Sequence, residues 1–147
     1  MLDTADAAYH KCAEKEQDRL LWAFLQSLKC MYHFYTSEFV RSEKEMTEGL
    51  DIRLEMLPSD DLLLALAYSW LGMAVGAQER YDEGLSLLLK AGKILDGPAG
   101  EIPTRRLIWG YNTSRNYYCM GRFEDAEKLL SEALADAESQ EGWYMQV

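Results

Sequence analysis

Two histidines, three cysteines and a scattering of serines and carboxylates are the groups on which any chemistry in this sequence would have to rest. His10 and Cys12 stand two residues apart, a spacing that a helix points to different sides. His33 falls on a different predicted helix from His10. No Cys-x-x-Cys, no His-Glu-x-x-His and no glycine-rich phosphate loop occurs, so neither a metal centre nor a nucleotide cofactor is expected. Ser69 and Ser114 lack the strand-to-helix turn that activates a nucleophilic serine. Glu124 and Glu127 share a solvated helix face, which gives paired carboxylates no burial to work with. Cys12, Cys30 and Cys119 read as small apolar residues rather than as reactive thiols. These residues argue against an enzyme; a helical hydrolase using His33 is the remote alternative.

Composition narrows the partners. Lys and Arg total 15 against 25 for Asp and Glu, a net charge of −10. A nucleic acid or an anionic membrane needs a positive footprint, so neither is expected as a partner. No apolar run is long enough to span a bilayer. Met1-Leu2-Asp3-Thr4-Ala5-Asp6 has neither the basic start nor the apolar core of a secretory signal. An odd number of cysteines without a close pair fits a reducing compartment, and a cytoplasmic location is expected.

With 48% hydrophobic residues the chain can bury a core, and its 3 prolines and 10 glycines are spaced for long helices. Asp3 to about Glu14 reads as a helix. Leu20 to about Thr36 follows, with Leu21, Phe24, Leu25, Leu28 and Tyr32 as its apolar stripe. Ser37 is placed to cap the next helix, which runs through Phe39, Met46, Leu50 and Leu54 until Pro58 stops it. Ser59 or Asp60 is expected to cap the third long helix, to about Gln78. That helix is apolar almost all round, so neighbours on both sides should bury it. Tyr81 to Leu95 pairs with it. Asp96 to Pro103 is the one clear loop, after which Thr104 is expected to cap a helix to about Met120. Phe123 to about Ser139 is the last full helix.

The helices repeat. Phe123, Ala126, Leu130 and Ala133 lie on one helical face just after Gly121. A step of 42 residues towards the N-terminus gives Tyr81, Gly84, Leu88 and Ala91, and a second gives Phe39, Ser42, Met46 and Gly49. The pattern is aromatic, small, large apolar, small. A fixed period of this size marks a solenoid of stacked helix pairs. Cys30, Gly72 and Ser114 share the small position on the first helices, so Gly72 and Ala91 should lie where helix backbones cross.

Leu71-Gly72, Tyr81-Asp82-Glu83-Gly84 and Gly121-Arg122-Phe123-Glu124-Asp125-Ala126 resemble the tetratricopeptide repeat, whose usual period is about 34 residues. The longer step here resembles the long-helix variety found in kinesin light chain and in multidomain signalling proteins. The resemblance implies an all-α, right-handed α-solenoid of antiparallel helix pairs. It organises residues 1–147 as a single array: an orphan second helix at about 3–16, repeats at 20–57, 60–95 and 104–140, and the start of a truncated helix at 142–147. The repeat at 20–57 departs most from the pattern, lacking the glycine before Phe39.

In arrays of this type the first helix of each pair lines a concave groove. The resemblance therefore implies a partner-binding set of Ser27, Met31, Phe34 and Tyr35, then Ser69 and Met73, then Tyr111, Arg115 and Tyr118, with Asn112 placed to hold a peptide backbone. Met and Tyr are adaptable contact residues, and Arg115 suits a carboxylate. The expected function is a non-catalytic scaffold that binds a protein or peptide. The alternative is a self-association or regulatory segment of a larger signalling protein. Trp143-Tyr144-Met145 and the apolar face of the last helix add the expectation of a homo-oligomer or of further repeats at exposed ends.

Overall fold

Three sharp turns fold six helices into three hairpins in the computed structural model, which describes residues 19–101 and 103–139. The helices are α1 (Arg19–Tyr35), α2 (Phe39–Met56), α3 (Leu62–Gly76), α4 (Tyr81–Leu95), α5 (Pro103–Cys119) and α6 (Phe123–Ser139). Each packs most densely on its hairpin partner, and α2 on α3 and α4 on α5 join one pair to the next. The result is an all-α, right-handed solenoid of antiparallel helix pairs. The expected helices at about 3–16 and 142–147 lie outside the described residues.

The turns share one device. Ser37, Glu79 and Gly121 have φ of 62°, 65° and 74°, the left-handed conformation that ends a helix and reverses the chain. They stand one repeat apart. Only the third is a glycine, so the first two carry a side chain where glycine costs nothing. This corrects the expected role of Ser37: it occupies the turn, and the cap position of α2 falls to Glu38, which makes no side-chain capping bond. The cap of α3 is likewise Asp61 rather than Ser59 or Asp60, its carboxylate accepting the Leu63 N–H at 2.7 Å. Pro103 opens α5, where a missing N–H does no harm, so Thr104 lies inside the first turn and not at its cap.

The repeated small positions meet each other. In the second pair a Cβ on Gly72 would stand 2.8 Å from the Gly84 carbonyl, and one on Gly84 would stand 2.7 Å from the Gly72 carbonyl. In the first pair the same crossing holds Cys30 and Ser42, whose hydroxyl donates to the Cys30 carbonyl at 2.9 Å. In the third pair it holds the buried Ser114 and Ala126. Met46, Leu50, Leu64, Leu71 and Val75 form the main core with Cys30 and Ala67, each large side chain contributing about 1.5–3 kcal/mol of burial. Ala65, Ala91 and Leu95 form a second cluster with Trp109 packed against it. The expectation that α3 is buried from both sides holds for Leu64, Ala67, Leu71 and Val75, whereas Leu63 and Leu66 face outwards and are exposed.

The first pair is the most polar inside. Arg53 is buried, its Nη2 donating to the Ala23 carbonyl at 3.0 Å and to the Ser27 hydroxyl at 2.7 Å. Burial pushes its pKa down from the usual guanidinium range. About two turns away along the same helix pair, Lys29 and Glu45 pair at 3.1 Å with little exposure. Removing one partner of a pair this well shielded would leave the other charge buried and uncompensated.

Candidate functional site

The hairpin arrangement puts α3 and α5 side by side, and a groove of about 290 Å³ runs between them. α3 supplies Leu66, Ser69, Trp70 and Met73 to its wall. α5 supplies Arg105, Ile108, Trp109, Tyr111 and Asn112, and Tyr35 from the end of α1 stands at the rim. The lining is mainly apolar and aromatic, with the Ser69 hydroxyl, the Asn112 amide and the Arg105 guanidinium among its polar groups.

Its walls are braced from behind. Trp109 donates its indole N–H to the Leu88 carbonyl at 2.7 Å, and its ring lies flat where a side chain on Gly92 would have to go. Arg105 donates to the Ala99 carbonyl at 3.0 Å and Arg106 to the Leu95 carbonyl at 2.9 Å, which anchors the first turns of α5 on the preceding pair. Trp70 is held between Phe34 and Tyr35, edge to face at 5.7 and 6.1 Å. A bracket of charge ties the first pair to the second: Arg80 Nη1 donates to Glu43 at 2.8 Å, and Gln78 donates to the same carboxylate at 2.7 Å. The hydrogen bonds that Arg80 donates to Glu83, and then those to Glu43, raise its pKa above its ordinary value.

Of the ten residues expected from the sequence, Tyr35, Ser69, Met73, Tyr111 and Asn112 line this groove. Tyr111 also lines a second, wider cleft of about 550 Å³ at the end of the third pair, together with Arg115 and Tyr118. The other three stand elsewhere. Ser27 accepts the Arg53 hydrogen bond and serves the interior of the first pair. Phe34 packs on Phe39 and Trp70 between pairs. Met31 is half-buried on α1 and lines neither cavity. Trp70, Ile108 and Trp109 line the groove without having been expected there. The sequence offered no signal for them: one repeat step takes Trp70 to Asn112 and Trp109 back to Ala67, and a tryptophan in a long helix is as well explained by core packing.

Cys30 is fully buried, and that burial pushes its thiol up to about 11, so it is held protonated. Among the described residues no group of three or more His, Cys, Asp or Glu side chains could hold a metal ion. No described helix is long and apolar enough to cross a membrane. Arg115 is exposed above the second cleft and makes no ion pair with a described residue.

The architecture has a counterpart among solved structures. It is similar to a crystal structure of TPR-like repeats assigned to a kinesin light chain of Podosopora anserina, with a TM-score of 0.63 and 18% sequence identity. The match covers 81% of this chain and 57% of that one, so the present chain spans little more than half the length of that array. The fold is thus that of a tetratricopeptide-like repeat solenoid, a class in which stacked helix pairs commonly form protein-interaction scaffolds. No protein family and no curated protein matches the chain by sequence.

Proposed function

We propose that this protein is a non-catalytic interaction module that holds a peptide segment of a partner protein in the groove between α3 and α5. The observation that carries the reading is the convergence of Tyr35, Ser69, Met73, Tyr111 and Asn112, from three different helices, on one cavity of about 290 Å³. An apolar side chain of the peptide lies between Trp70 and Trp109, and Asn112 hydrogen-bonds its backbone. Arg115, further along α5, takes a carboxylate. The free thiols at Cys30 and Cys119 support a reducing compartment, and we place the protein in the cytoplasm.

Site-specific photo-crosslinking tests this. A photoreactive residue at Tyr35 or Tyr111 is compared with one at Lys44 or Lys90, exposed positions on the second helices. Partners should be captured from the first two positions and not from the others, and a Tyr111→Ala, Asn112→Ala variant should lose them. Equal capture from both faces, or full recovery by the variant, removes the groove.

A further inference from the structure

The first helix pair keeps inside it a donor that the second pair lacks. Arg53 reaches from α2 to α1 and donates to the Ala23 carbonyl and to the Ser27 hydroxyl. One repeat step of 42 residues takes Ala23, Ser27 and Arg53 to Ala65, Ser69 and Leu95. The correspondence holds in space, since Leu95 packs on Ala65 as Arg53 lies on Ala23. Leucine has no donor to give, and the Ser69 hydroxyl makes no hydrogen bond with a described residue. Ser69 and Leu95 both border the groove between α3 and α5. The second pair therefore presents to its groove an acceptor that the first pair satisfies internally. A second acceptor stands across from it. The same step takes Ser69 to Tyr111, which sets the neighbouring Asn112 of α5 at the level of Ser69. The Asn112 amide likewise makes no hydrogen bond with a described residue, so its oxygen is open to a donor. Tyr35, Trp70 and Tyr111 bring aromatic rings to the same groove.

We propose that the partner peptide places an arginine side chain in this groove, its guanidinium donating to the Ser69 hydroxyl and the Asn112 amide oxygen, and carries a carboxylate two residues from that arginine. This rests on the groove reading above and names the residue that the groove selects. A guanidinium holds its donors in a flat fork, which serves two acceptors on different helices while its face stacks on an aromatic ring. Its methylene stem lies along the apolar wall beside the peptide's apolar side chain. A lysine ammonium is a point charge and lacks both the fork and the flat face.

The protein's own cations set the rest of the motif. Arg105 stands about 9 Å before Tyr111 along α5, and its Nη1 is already bound to the Ala99 carbonyl. Arg115 stands about 6 Å beyond Tyr111 and makes no ion pair with a described residue. Two residues of extended peptide span about 7 Å, so a carboxylate at that distance from the arginine reaches Arg115 and offsets its repulsion of the guanidinium. The net charge of −10 draws a cationic side chain from a distance.

The probe is a set of short labelled peptides offered to the full chain and read by fluorescence anisotropy. Each carries one leucine beside a test position that holds arginine, citrulline, lysine, glutamate or alanine. The residue two places away holds glutamate or glutamine, in both chain directions. The arginine–glutamate peptide should bind tightest, about tenfold above its alanine counterpart and at least about fivefold above citrulline and lysine. Amide shifts at Ser69 and Asn112 should accompany binding. In a Ser69→Ala protein the ratio of arginine to alanine affinity should fall close to one, and Asn112→Ala makes the same comparison if that variant does not fold. Equal binding of the arginine, citrulline and alanine peptides, tighter binding of glutamate at the test position, or an arginine preference that survives Ser69→Ala overturns the proposal. So does glutamine in place of the second glutamate without loss. The groove itself still stands in those cases when the alanine peptide shifts Tyr35 and Tyr111. If no peptide shifts any groove amide, the groove reading falls together with this one.

Discussion

Replacing Gly72 by alanine tests the close crossing of α3 and α4. The new Cβ would sit 2.8 Å from the Gly84 carbonyl oxygen, 2.8 Å from Leu88 Cγ and 3.2 Å from the Leu88 nitrogen. Leu88 can turn, but the Gly84 carbonyl is helix backbone and cannot. α3 and α4 must therefore separate by about half an ångström along their whole crossing, and a gap of that size forfeits about a quarter of each contact it opens. Overpacking of a core typically costs about 1–3 kcal/mol, and an immovable obstacle puts this site near 3. Alanine is the better helix former by about 1 kcal/mol, which leaves a net loss of about 2 kcal/mol. For a chain of this size that lowers the melting temperature by roughly 4–8 °C. Differential scanning calorimetry on Gly72→Ala, with Gly97→Ala as the control, reads it directly. Gly97 would place its Cβ no closer than 3.5 Å to the Ile94 carbonyl, so its alanine variant should be neutral. Gly84→Ala should behave like Gly72→Ala, and the two together should cost less than their sum, because the helices separate once. A Gly72 variant that melts at or above the parent temperature refutes the close crossing.

Ala91→Leu, at a fully buried position against Ala65 and Leu95, should lose about 1–3 kcal/mol in chemical denaturation, and an unchanged midpoint would contradict the packing. Glu79→Gly relieves a left-handed side-chain residue worth about 1–2 kcal/mol at the cost of about 0.5–1 kcal/mol of chain entropy, so a small gain in stability is expected by the same assay. Peptide-level mass spectrometry after alkylation should find Cys119 modified in the native protein and Cys30 only after unfolding, as their exposure requires. Cys30 also predicts a pH dependence. Its folded thiol titrates near 11 against a reference of 9.0, so its contribution is whole below about pH 9. Above that the unfolded chain ionises first and stability falls by up to about 3 kcal/mol as pH approaches 11. A Cys30→Ala variant should lose that slope while the parent keeps it.

The repeat was legible because three copies of one pattern place the same residue types at the same crossings. Cys30, Gly72 and Ser114 could be set at one crossing position before any coordinates, since small residues are what close helix crossings demand, whereas that Ser42, Gly84 and Ala126 stand opposite them emerged only from the structure. The turns were not legible in the same way. Ser37 and Glu79 adopt the left-handed conformation without glycine, because the packing of two helices on either side fixes the reversal and overrides the local preference. Helix caps failed for a related reason. Ser59, Asp60 and Asp61 are all competent caps, and the exit angle after Pro58 chooses among them. In the candidate site, the exposed Tyr111 and Tyr118 could be placed by counting along a helix. Trp70 and Trp109 could not, since each both lines the groove and stacks on the preceding pair. Ser27 looked like a groove hydroxyl until Arg53, thirty residues from Ala23, reached across to claim it.

Asn116 gives the molecule a mechanical asymmetry. Its amide is buried against Gly76 and Gly84, and its Oδ1 has no hydrogen-bond partner among the described residues, beside a recess the size of one water. At the other end of the same helix, Arg105, Arg106 and Trp109 are tied to three backbone carbonyls of the preceding segment. α5 is thus tied by side-chain hydrogen bonds at its beginning, while at its end a buried amide oxygen goes without one. A swing pivoting at Trp109 would displace Tyr111, Arg115 and Tyr118 by progressively larger amounts. Under the proposed function, such a helix would hold one end of a peptide more strictly than the other. Hydrogen exchange should show the gradient, with amides from Arg115 to Cys119 opening before those from Ile108 to Asn112.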